Sequence, residues 1–460
     1  MEQVNQRPLK LYFLPFLAAG HVIPLCDIAT LFASRGQHVT IITTPSNAKN
    51  IVKSNDNFNI HTVVFPSEQV GLPVGVESMS SVNNLDDAAR ITKAAMLLRQ
   101  PVEHFVNHNP PDCIIADFFH PWVYDLANTL KIPRLVFNTF SLLSTCAMNS
   151  FNSHPELRSG SGSFVFTDLP HAITMSVRPP EEVVDYIEPL LEMELKSSGL
   201  IVNNFVEMES EYVEHYERTT GHKAWHLGPA SLVHKSNVEK ADRGYDSVVS
   251  AHECLSWLNS KKPNSVVYIS FGSLCRFPDN QLQEIAAGIE ASGHQFIWVV
   301  AEETKMELLP ERGMILRGWA PQLVILDHPA VGGFLTHCGW NSVLEGVSAG
   351  VPMITWPVHT DHFYNEKLIT EVHRIGVSVG AEEWGILGFG ERKKLVTRDK
   401  IEKAVRRLMD GGDEAEEIRR GARRLATKAT QAVAEGGSSH NNLRALIHHL
   451  KHLRDIKSID

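Results

Sequence analysis

The fold of this chain is decided by the stretch VGGFLTHCGWNS, at residues 331–342. Residues 331–336 are apolar or small and predict a buried strand, and the residues after Cys338 predict the beginning of a helix. A helix that begins directly after a strand and a glycine presents free backbone amides and the positive end of its dipole. This stretch therefore predicts an α/β unit with an anion site at the loop between strand and helix.

The same alternation of short apolar runs and amphipathic runs extends outward in both directions. Near-continuous apolar strands separated by helices are typical of a parallel sheet that is covered on both faces. The predicted strands are residues 9–16, 39–43, 63–65, 113–116, 134–138, 265–270, 295–300, 314–317, 331–336 and 351–356. The predicted helices are residues 25–34, 86–98, 122–130, 281–292, 341–348, 363–371 and 438–453.

A polar and charged stretch at residues 235–250 interrupts this alternation. We place a linker between two domains at residues 241–250. The predicted fold class is therefore α/β, with two Rossmann-like, doubly wound parallel sheets at residues 1–240 and 251–440. The last predicted helix follows the second of them.

Composition narrows the class of protein. The chain has 460 residues, of which 43% are hydrophobic and 21% charged, as in soluble globular proteins. Its net charge of −10 disfavours a nucleic-acid partner. The six cysteines are far apart and form no CxxC pair, which favours free thiols in a reducing compartment.

No apolar run approaches the roughly 20 residues that a transmembrane helix needs, so we expect no transmembrane segment. Residues 11–19 follow two basic residues and could also be a signal peptide. However, Pro15 interrupts them and the apolar pattern continues beyond Gly20. We therefore interpret them as a first core strand and expect a cytoplasmic protein.

Two residues of the first half are candidates for acid–base chemistry. His21 follows the first predicted strand, and Asp117 ends another, so both are expected at the carboxyl edge of one sheet, where ligands bind. A carboxylate beside an imidazole fixes its tautomer and stabilises its charged form. The sequence does not show that the two side chains touch. A structural histidine and a helix cap remain the alternatives.

The second half contains a set of residues suited to a nucleotide. An indole can stack on a base, an amide can reach the edge of the base, hydroxyl and imidazole groups can contact phosphate, and a carboxylate can accept hydrogen bonds from ribose. Each residue alone would more often be structural, but together they favour a nucleotide site. They are Ser273, Trp319, Gln322, His337, Asn341, Ser342 and Glu345.

Two other patterns suggest different chemistry, and two common nucleotide-binding motifs are missing. Residues 346–350 match the GxSxG nucleophile elbow around Ser348, but the expected order of strand and helix is reversed. His359, Asp361 and His362 are close enough to suggest metal ligands, although no distant partner motif accompanies them. No GxGxxG or GxxxxGK[ST] stretch is present, which disfavours a dinucleotide enzyme and a P-loop ATPase.

From Trp319 to His362 the chain closely resembles the 44-residue signature box of plant family-1 UDP-sugar-dependent glycosyltransferases. The shared features are WAPQ at 319–322, HCGWNS at 337–342, Glu345, Pro352 and the Asp361-His362 pair. Residues 20–21, the Asp117 segment, residues 271–273 and residues 436–439 extend the resemblance over essentially the whole chain.

The resemblance implies a GT-B fold, with the two Rossmann-like domains facing each other across a cleft and the final helix, at about 440–460, packing back on the first domain. It implies an inverting enzyme in which His21 is the general base and Asp117 its partner. The UDP-binding residues would be Ser273, Trp319, Ala320, Gln322, His337, Gly339, Asn341, Ser342 and Glu345. The sugar-binding residues would be Trp340, Asp361 and His362.

The resemblance leaves the sugar and the acceptor open. Many glucose-using members have Gln where this chain has His362, and a His there is associated with galactose, so both hexoses remain candidates. An apolar acceptor pocket would suit a triterpenoid, steroid or flavonoid, which could already carry a sugar. Its candidate residues are Phe118, Phe119, Trp122, Phe140 and Leu143, for which an ordinary core role is the alternative.

We expect no cofactor, no metal and a monomer, with a UDP-sugar and a lipophilic small molecule as partners. A serine hydrolase that uses Ser348 and a non-catalytic protein that binds a UDP-sugar or an aglycone are the alternative functions.

Overall fold

The computed structural model describes residues 7–52, 58–160, 162–247, 250–304, 312–385 and 393–457. The strands are β1 (Lys10–Leu14), β2 (His38–Thr43), β3 (Asn59–Thr62), β4 (Cys113–Asp117), β5 (Arg134–Asn138), β6 (Phe164–Phe166), β7 (Ile173–Met175), β8 (Leu200–Val202), β9 (Ala224–His226), β10 (Val266–Ser270), β11 (Gln295–Val300), β12 (Gly313–Arg317), β13 (Val331–Thr336), β14 (Met353–Thr355) and β15 (Gly376–Ser378).

The helices alternate with these strands along most of the chain. They are α1 (Ala19–Ala33), α2 (Pro45–Val52), α3 (Ser67–Val70), α4 (Leu85–Leu97), α5 (Arg99–His108), α6 (Val123–Thr129), α7 (Leu142–Ser153), α8 (Glu181–Glu194), α9 (Val206–Thr220), α10 (Asn237–Asp242), α11 (Ala251–Asn259), α12 (Asp279–Ser292), α13 (Gln322–Leu326), α14 (Trp340–Ala349), α15 (His362–Lys367), α16 (Arg398–Met409), α17 (Asp413–Val433) and α18 (Ser438–Lys457). A π-helical turn, Leu368–Val372, follows α15. No helix of the described part of the chain combines the length and the apolar character that crossing a membrane requires.

The chain folds as two compact units. Unit 1 comprises Met1–Leu142, Asp185–Val233 and Gln431–Asp460, and unit 2 comprises Leu143–Val184 and His234–Thr430.

Unit 1 is built on a seven-stranded sheet in the order β3-β2-β1-β4-β5-β8-β9. All of its neighbouring strands are parallel. Helices cover it because its central strands are apolar on both faces, and β4 is buried along its whole length. Leu443, Leu446 and Leu450 of α18 belong to the same hydrophobic core as Leu11 of β1 and Ile115 of β4.

Unit 2 is built on a six-stranded parallel sheet in the order β12-β11-β10-β13-β14-β15. Its core joins the central strands to α12 and α16, and includes the fully buried Trp298 and Trp356. Together the two parallel sheets confirm the predicted α/β fold class. Unit 2 also contains an antiparallel pair, β6 and β7, which the sequence reading did not predict.

Two predicted elements are wrong in ways that have a physical reason. The predicted strand at 63–65 follows the real strand β3, which is less apolar but pairs with β2 in register, Thr40 opposite Asn59. Val64, which made the run look like a strand, is 82% exposed. The first helix was predicted at residues 25–34, after Pro24. It begins at Ala19 and continues through Pro24, so that its first turn includes His21.

Candidate active site

His21 and Asp117 are in contact at the carboxyl edge of the unit 1 sheet. Asp117 is the last residue of β4, and its side chain is 0% exposed. Its Oδ2 lies 2.9 Å from Nδ1 of His21, and its Oδ1 accepts a hydrogen bond of 3.1 Å from the backbone N–H of Phe119. A strand end and a helix start thus bring together two residues that are 96 positions apart.

This geometry orients the imidazole. When Nδ1–H donates to the buried carboxylate of Asp117, the lone pair of the ring is on Nε2. The side chain of His21 is 17% exposed, so one end of the pair is open to solvent and the other is enclosed. A histidine held in this way can act as a general base toward a hydroxyl group that approaches Nε2.

Aromatic rings surround His21. The rings of Phe16 and Phe119 lie 5.4 Å and 5.5 Å from the imidazole, measured between centroids. Tyr186, which is 48% exposed, stacks on Phe119 with 6.1 Å between the ring centroids. Sequence reasoning missed Phe16 and Tyr186. The position of Phe16 just beyond β1 was an available signal, whereas nothing in the sequence placed Tyr186 of α8 beside Phe119.

The residues predicted to line the acceptor pocket differ in their exposure. Phe118, Trp122 and Phe140 are buried in unit 1, and Phe118 contacts Phe119 and Phe140 edge to face. Phe119 is only partly buried, so it is the member of this cluster that a ligand could reach in this conformation. Leu143 is fully buried and falls in unit 2.

In unit 2 the loop between β13 and α14 closes around His337. Cys338 has a φ of +67°, and Gly339 caps the amino end of α14. A Cβ added at Gly272, in the loop after β10, would lie 2.5 Å from Nε2 of His337, and one added at Gly339 would also collide with that atom. Two backbones therefore approach the ring as only glycine allows.

Burial lowers the pKa of His337 to about 4, against a smaller opposing effect of the Ser270 backbone. At neutral pH the ring is therefore uncharged in this structure. It can offer a phosphate group a hydrogen bond but not a positive charge.

Three of the predicted nucleotide residues form one connected cluster. Gln322, at the start of α13, donates from Nε2 to Oγ of Ser342 (3.2 Å) and to Oε2 of Glu345 (2.6 Å). Tyr268 of β10 donates its hydroxyl to Oε1 of Gln322 at 3.1 Å. Glu345 also accepts from Nη1 of Arg243 at 2.7 Å. The residues predicted to contact base and ribose are thus adjacent, and Arg243 and Tyr268 are partners that sequence reasoning missed.

The remaining predicted UDP-binding residues lie at the same edge of the unit 2 sheet. Trp319 is partly buried, and its backbone carbonyl accepts a hydrogen bond of 2.9 Å from Ser247. Ala320 is buried beside it. Ser273 and Asn341 are partly exposed, in the loop after β10 and in the first turn of α14. Arg276, also missed from the sequence, donates to the carbonyl of Ser273 at 3.0 Å.

The residues predicted to contact the sugar are buried: Asp361 and His362 at the start of α15, and Trp340 at the start of α14. Oδ2 of Asp361 accepts a hydrogen bond of 2.6 Å from Nδ2 of Asn365, which also donates to the carbonyl of Cys338 at 2.9 Å. His362 lies edge to face against His337, with 4.8 Å between the ring centroids. Trp340 is 2% exposed. Asn365 was missed, although its position at i+4 from Asp361 was an available signal.

The features that suggested other chemistry have weaker structural support. Ser348 lies in the last turn of α14, and its buried hydroxyl has no hydrogen-bond partner among the described residues. A serine nucleophile needs an adjacent base, so this arrangement does not support a hydrolase. Within the described ranges no three His, Cys, Asp or Glu residues converge as a metal site would require. All six cysteines are free thiols.

The chain is similar to proteins of known activity over nearly its whole length. The family model described as "UDP-glucoronosyl and UDP-glucosyl transferase" matches residues 16–408. UDP-glucosyl transferase 73CC6 of Saponaria officinalis is 47% identical, over 98% of this chain and 98% of that protein. UDP-glucose flavonoid 3-O-glucosyltransferase 7 of Fragaria ananassa is also 47% identical, again over 98% of each. Soyasapogenol B glucuronide galactosyltransferase of Glycine max is 42% identical, over 97% of this chain and 96% of that protein.

The likeness extends to the fold. The crystal structure of UGT73P12 of Glycyrrhiza uralensis, complexed with glycyrrhetinic acid 3-O-monoglucuronide, superposes with a TM-score of 0.90 at 38% identity. The match covers 98% of this chain and 97% of that one. The predicted GT-B fold class is confirmed by this agreement.

Proposed function

Because this chain belongs to the UDP-glycosyltransferase family, we propose that it is an inverting O-glycosyltransferase that moves a hexose from UDP to a hydroxyl group of a lipophilic small molecule. The observation that carries the proposal is the hydrogen bond of 2.9 Å between His21 and the fully buried Asp117. A buried carboxylate on Nδ1 is the arrangement that makes Nε2 an effective base.

In the proposed reaction, Nε2 of His21 takes the proton of the acceptor hydroxyl. The oxygen forms a bond to the anomeric carbon from the face opposite the diphosphate. The bond between that carbon and the phosphate oxygen breaks, and its electron pair leaves with UDP. The resulting imidazolium is stabilised by Asp117. An α-linked donor therefore yields a β-glycoside.

Unit 2 supplies the contacts to the donor in this proposal. Trp319, Ala320 and Gln322 bind uracil, and Glu345 binds the ribose. Negative charge grows on the departing diphosphate, where hydrogen-bond donors that are already in place lower the barrier. These donors are Ser273, His337, Asn341, Ser342 and the amide of Gly339. The reaction as proposed needs no cofactor and no metal, because the base, the leaving group and its donors all come from the chain and UDP.

The sugar of the donor is proposed to be galactose or glucose. Trp340, Asp361 and His362 are the proposed sugar contacts, and His362 offers an imidazole where many glucose users offer an amide. The name of the Glycine max relative supports galactose, and those of the Saponaria and Fragaria relatives support glucose.

The acceptor is proposed to be a triterpenoid or a flavonoid. The aromatic rings around His21 favour a flat apolar molecule whose hydroxyl reaches Nε2. The name of the Fragaria relative supports a flavonoid. The ligand bound by UGT73P12, glycyrrhetinic acid 3-O-monoglucuronide, supports a triterpenoid that already carries a sugar.

A competition assay tests this proposal. The protein is incubated with UDP-galactose and isotopically labelled UDP-glucose together, in the presence of flavonoids, triterpenoid aglycones and their monoglycosides, and products are identified by mass spectrometry. The label separates the two hexoses, which have equal mass. NMR of the anomeric proton then reports the configuration, for which we expect β.

His21→Ala is the matched variant for the assay. It should abolish transfer while leaving UDP binding intact. Absence of transfer by the folded wild-type protein with either hexose would refute the proposed activity, and an α-configured product would refute inversion. Unchanged transfer by His21→Ala would exclude His21 as the base.

A further inference from the structure

The stretch that precedes α11 is attached to the candidate nucleotide site of unit 2. We name residues 237–247 the docking segment. Its helix α10 begins with a capping box, in which Ser236 and Glu239 satisfy each other's backbone N–H groups. Lys240 then forms an ion pair of 2.5 Å with Asp327, directly after α13. The docking segment is therefore held against the helix that carries Gln322.

The same segment reaches Trp319. Ser247 pairs with Trp319 in an isolated parallel bridge, and its hydroxyl donates to the Trp319 carbonyl at 2.9 Å. The ring of Tyr245 lies 5.0 Å from the indole ring between centroids. Backbone and side-chain contacts on both sides of Arg243 therefore fix where its guanidinium lies.

Arg243 forms an enclosed ion pair with Glu345. Nη1 of Arg243 is 2.7 Å from Oε1 of Glu345, and the two side chains are only 9% and 6% exposed. The other carboxylate oxygen, Oε2, accepts from Gln322 at 2.6 Å. Enclosing two charges is costly, and such a pair persists when its geometry is good and its remaining hydrogen-bonding capacity is used.

A carboxylate has about four lone-pair positions, two on each oxygen. Arg243 and Gln322 take one position on each oxygen of Glu345. Among the described residues, one position on each oxygen is thereby left for two further donors, and the vicinal hydroxyls of a ribose are such a pair.

We propose that Arg243 is a positioning residue for the donor nucleotide, which orients Glu345 so that both of its oxygens accept hydrogen bonds from the ribose hydroxyls. This inference rests on the proposed function, because it assumes that Glu345 binds ribose. It assigns a role in donor recognition to a residue of the stretch between the two sheets, outside the signature box.

The experiment compares UDP with 2′,3′-dideoxy-UDP, which lacks the two hydroxyls, by isothermal titration calorimetry. Arg243→Gln removes the charge and keeps much of the side-chain length, whereas Arg243→Lys keeps the charge. Arg407→Gln is the control, because Arg407 forms an exposed ion pair with Glu414 elsewhere in unit 2. Thermal unfolding verifies that each variant is folded.

We expect Arg243→Gln to bind UDP about tenfold more weakly, since a charge-assisted hydrogen bond no longer holds Glu345. Its affinity for the dideoxy compound should stay within about twofold of wild type, as should both affinities of the control. Arg243→Lys should recover most of the UDP affinity. In turnover, Arg243→Gln should raise KM for the UDP-sugar about tenfold and leave kcat nearly unchanged.

Three results would overturn the inference. Equal losses for both nucleotides would mean that Arg243 acts on the diphosphate or the base. Tighter binding of UDP by Arg243→Gln would mean that the ion pair competes with the ribose, and an unchanged affinity would mean that it has no role. If Arg243→Gln does not fold, the Lys variant carries the test, with a smaller loss expected for UDP alone. A wild-type protein that binds no UDP would instead refute the proposed function itself.

Discussion

His21 and Asp117 differ in their access to water, as a general base and the carboxylate that orients it should. Asp117 is enclosed and accepts from two donors, whereas one end of His21 reaches solvent. The pair was predictable as two residues at one sheet edge, because the carboxyl ends of parallel strands lie together. Their contact was not predictable, since it depends on α1 beginning at Ala19, before Pro24, so that His21 lies in its first turn.

Asp117→Asn is the sharpest test of this pair. An amide can hydrogen-bond Nδ1 but cannot stabilise the imidazolium, and it favours the wrong tautomer. We therefore expect kcat to fall about 10³-fold or more, as for comparable pairs in other enzymes, with little change in KM for the UDP-sugar. Steady-state kinetics on the folded variant check this. A loss confined to KM would contradict the proposed role of Asp117.

His362→Gln tests the proposed sugar contact. An amide changes which sugar hydroxyls find a partner, and a site that loses such a hydrogen bond discriminates against the sugar that needed it. We expect the ratio of kcat/KM for UDP-glucose to that for UDP-galactose to rise about tenfold. An unchanged ratio in the two-donor competition would show that residue 362 does not distinguish the two hexoses.

Among elements, the loops around His337 show what the sequence can and cannot specify. The strand at 331–336 and the helix after it were predicted closely, because an apolar run followed by glycine and a helical pattern is a strong local signal. That Gly272 of another loop touches the ring of His337 is a long-range contact, which no local pattern encodes.

Gly272→Ala should therefore disturb the loop between β13 and α14, which contains His337. Gly272 has a φ of +74°, and Gly380 of the same unit has a φ of +75°, but a Cβ at Gly380 would meet only the flexible end of Lys400, at 3.8 Å. Both alanine variants carry the same backbone strain, so their difference measures the collision with His337. We expect Gly272→Ala to lose about 1–2 kcal/mol more of unfolding free energy than Gly380→Ala, and to bind UDP more weakly.

Urea unfolding and calorimetry measure these two effects. Equal destabilisation by the two alanine variants, with UDP affinity preserved in both, would mean that the ring of His337 moves aside without cost.

The docking segment shows that the composition of a segment does not predict its specific contacts. Its polar and charged composition predicted a linker between two domains. In the structure Arg243 is enclosed by its pairing with Glu345, and the polar side chains of the segment form contacts within unit 2. Composition reports the average environment of a segment, not the few specific contacts that hold it.

At the scale of the whole molecule, the alternation of strands and helices predicted two parallel sheets but carried less information about which segments join which unit. Residues 143–184 cluster with unit 2, and no pattern within them marks this. Their antiparallel pair, β6 and β7, consists of strands of three residues, too short for a periodicity to be read from them.

The stability of the molecule should depend on a buried carboxyl group in unit 1. Burial raises the pKa of Glu194 from 4.5 to about 7, against the hydrogen bonds from Tyr216 and Asn138 and the charge of Arg134. The folded protein thus holds a proton that the unfolded chain releases at lower pH. The stabilising contribution of protonated Glu194 is complete below pH 4.5 and is lost as the pH rises through about 7.

Glu194→Gln removes this titration. Between pH 4.5 and about 8, wild-type unfolding free energy should fall by about 3 kcal/mol more than that of the variant. Urea unfolding across this range measures the gap. Parallel pH profiles for the two proteins would show that Glu194 titrates alike in the folded and unfolded states.

The leucines of α18 complete the core beneath β1 and β4. A ribosome makes those strands early and this helix only after the whole of the other sheet has emerged. The apolar side chains of the unit 1 core that α18 covers therefore remain exposed during translation, whereas the sheet of unit 2 can fold before α18 is made. Nascent chains halted before residue 438 should consequently bind chaperones. Once α18 has left the ribosome, this binding should cease.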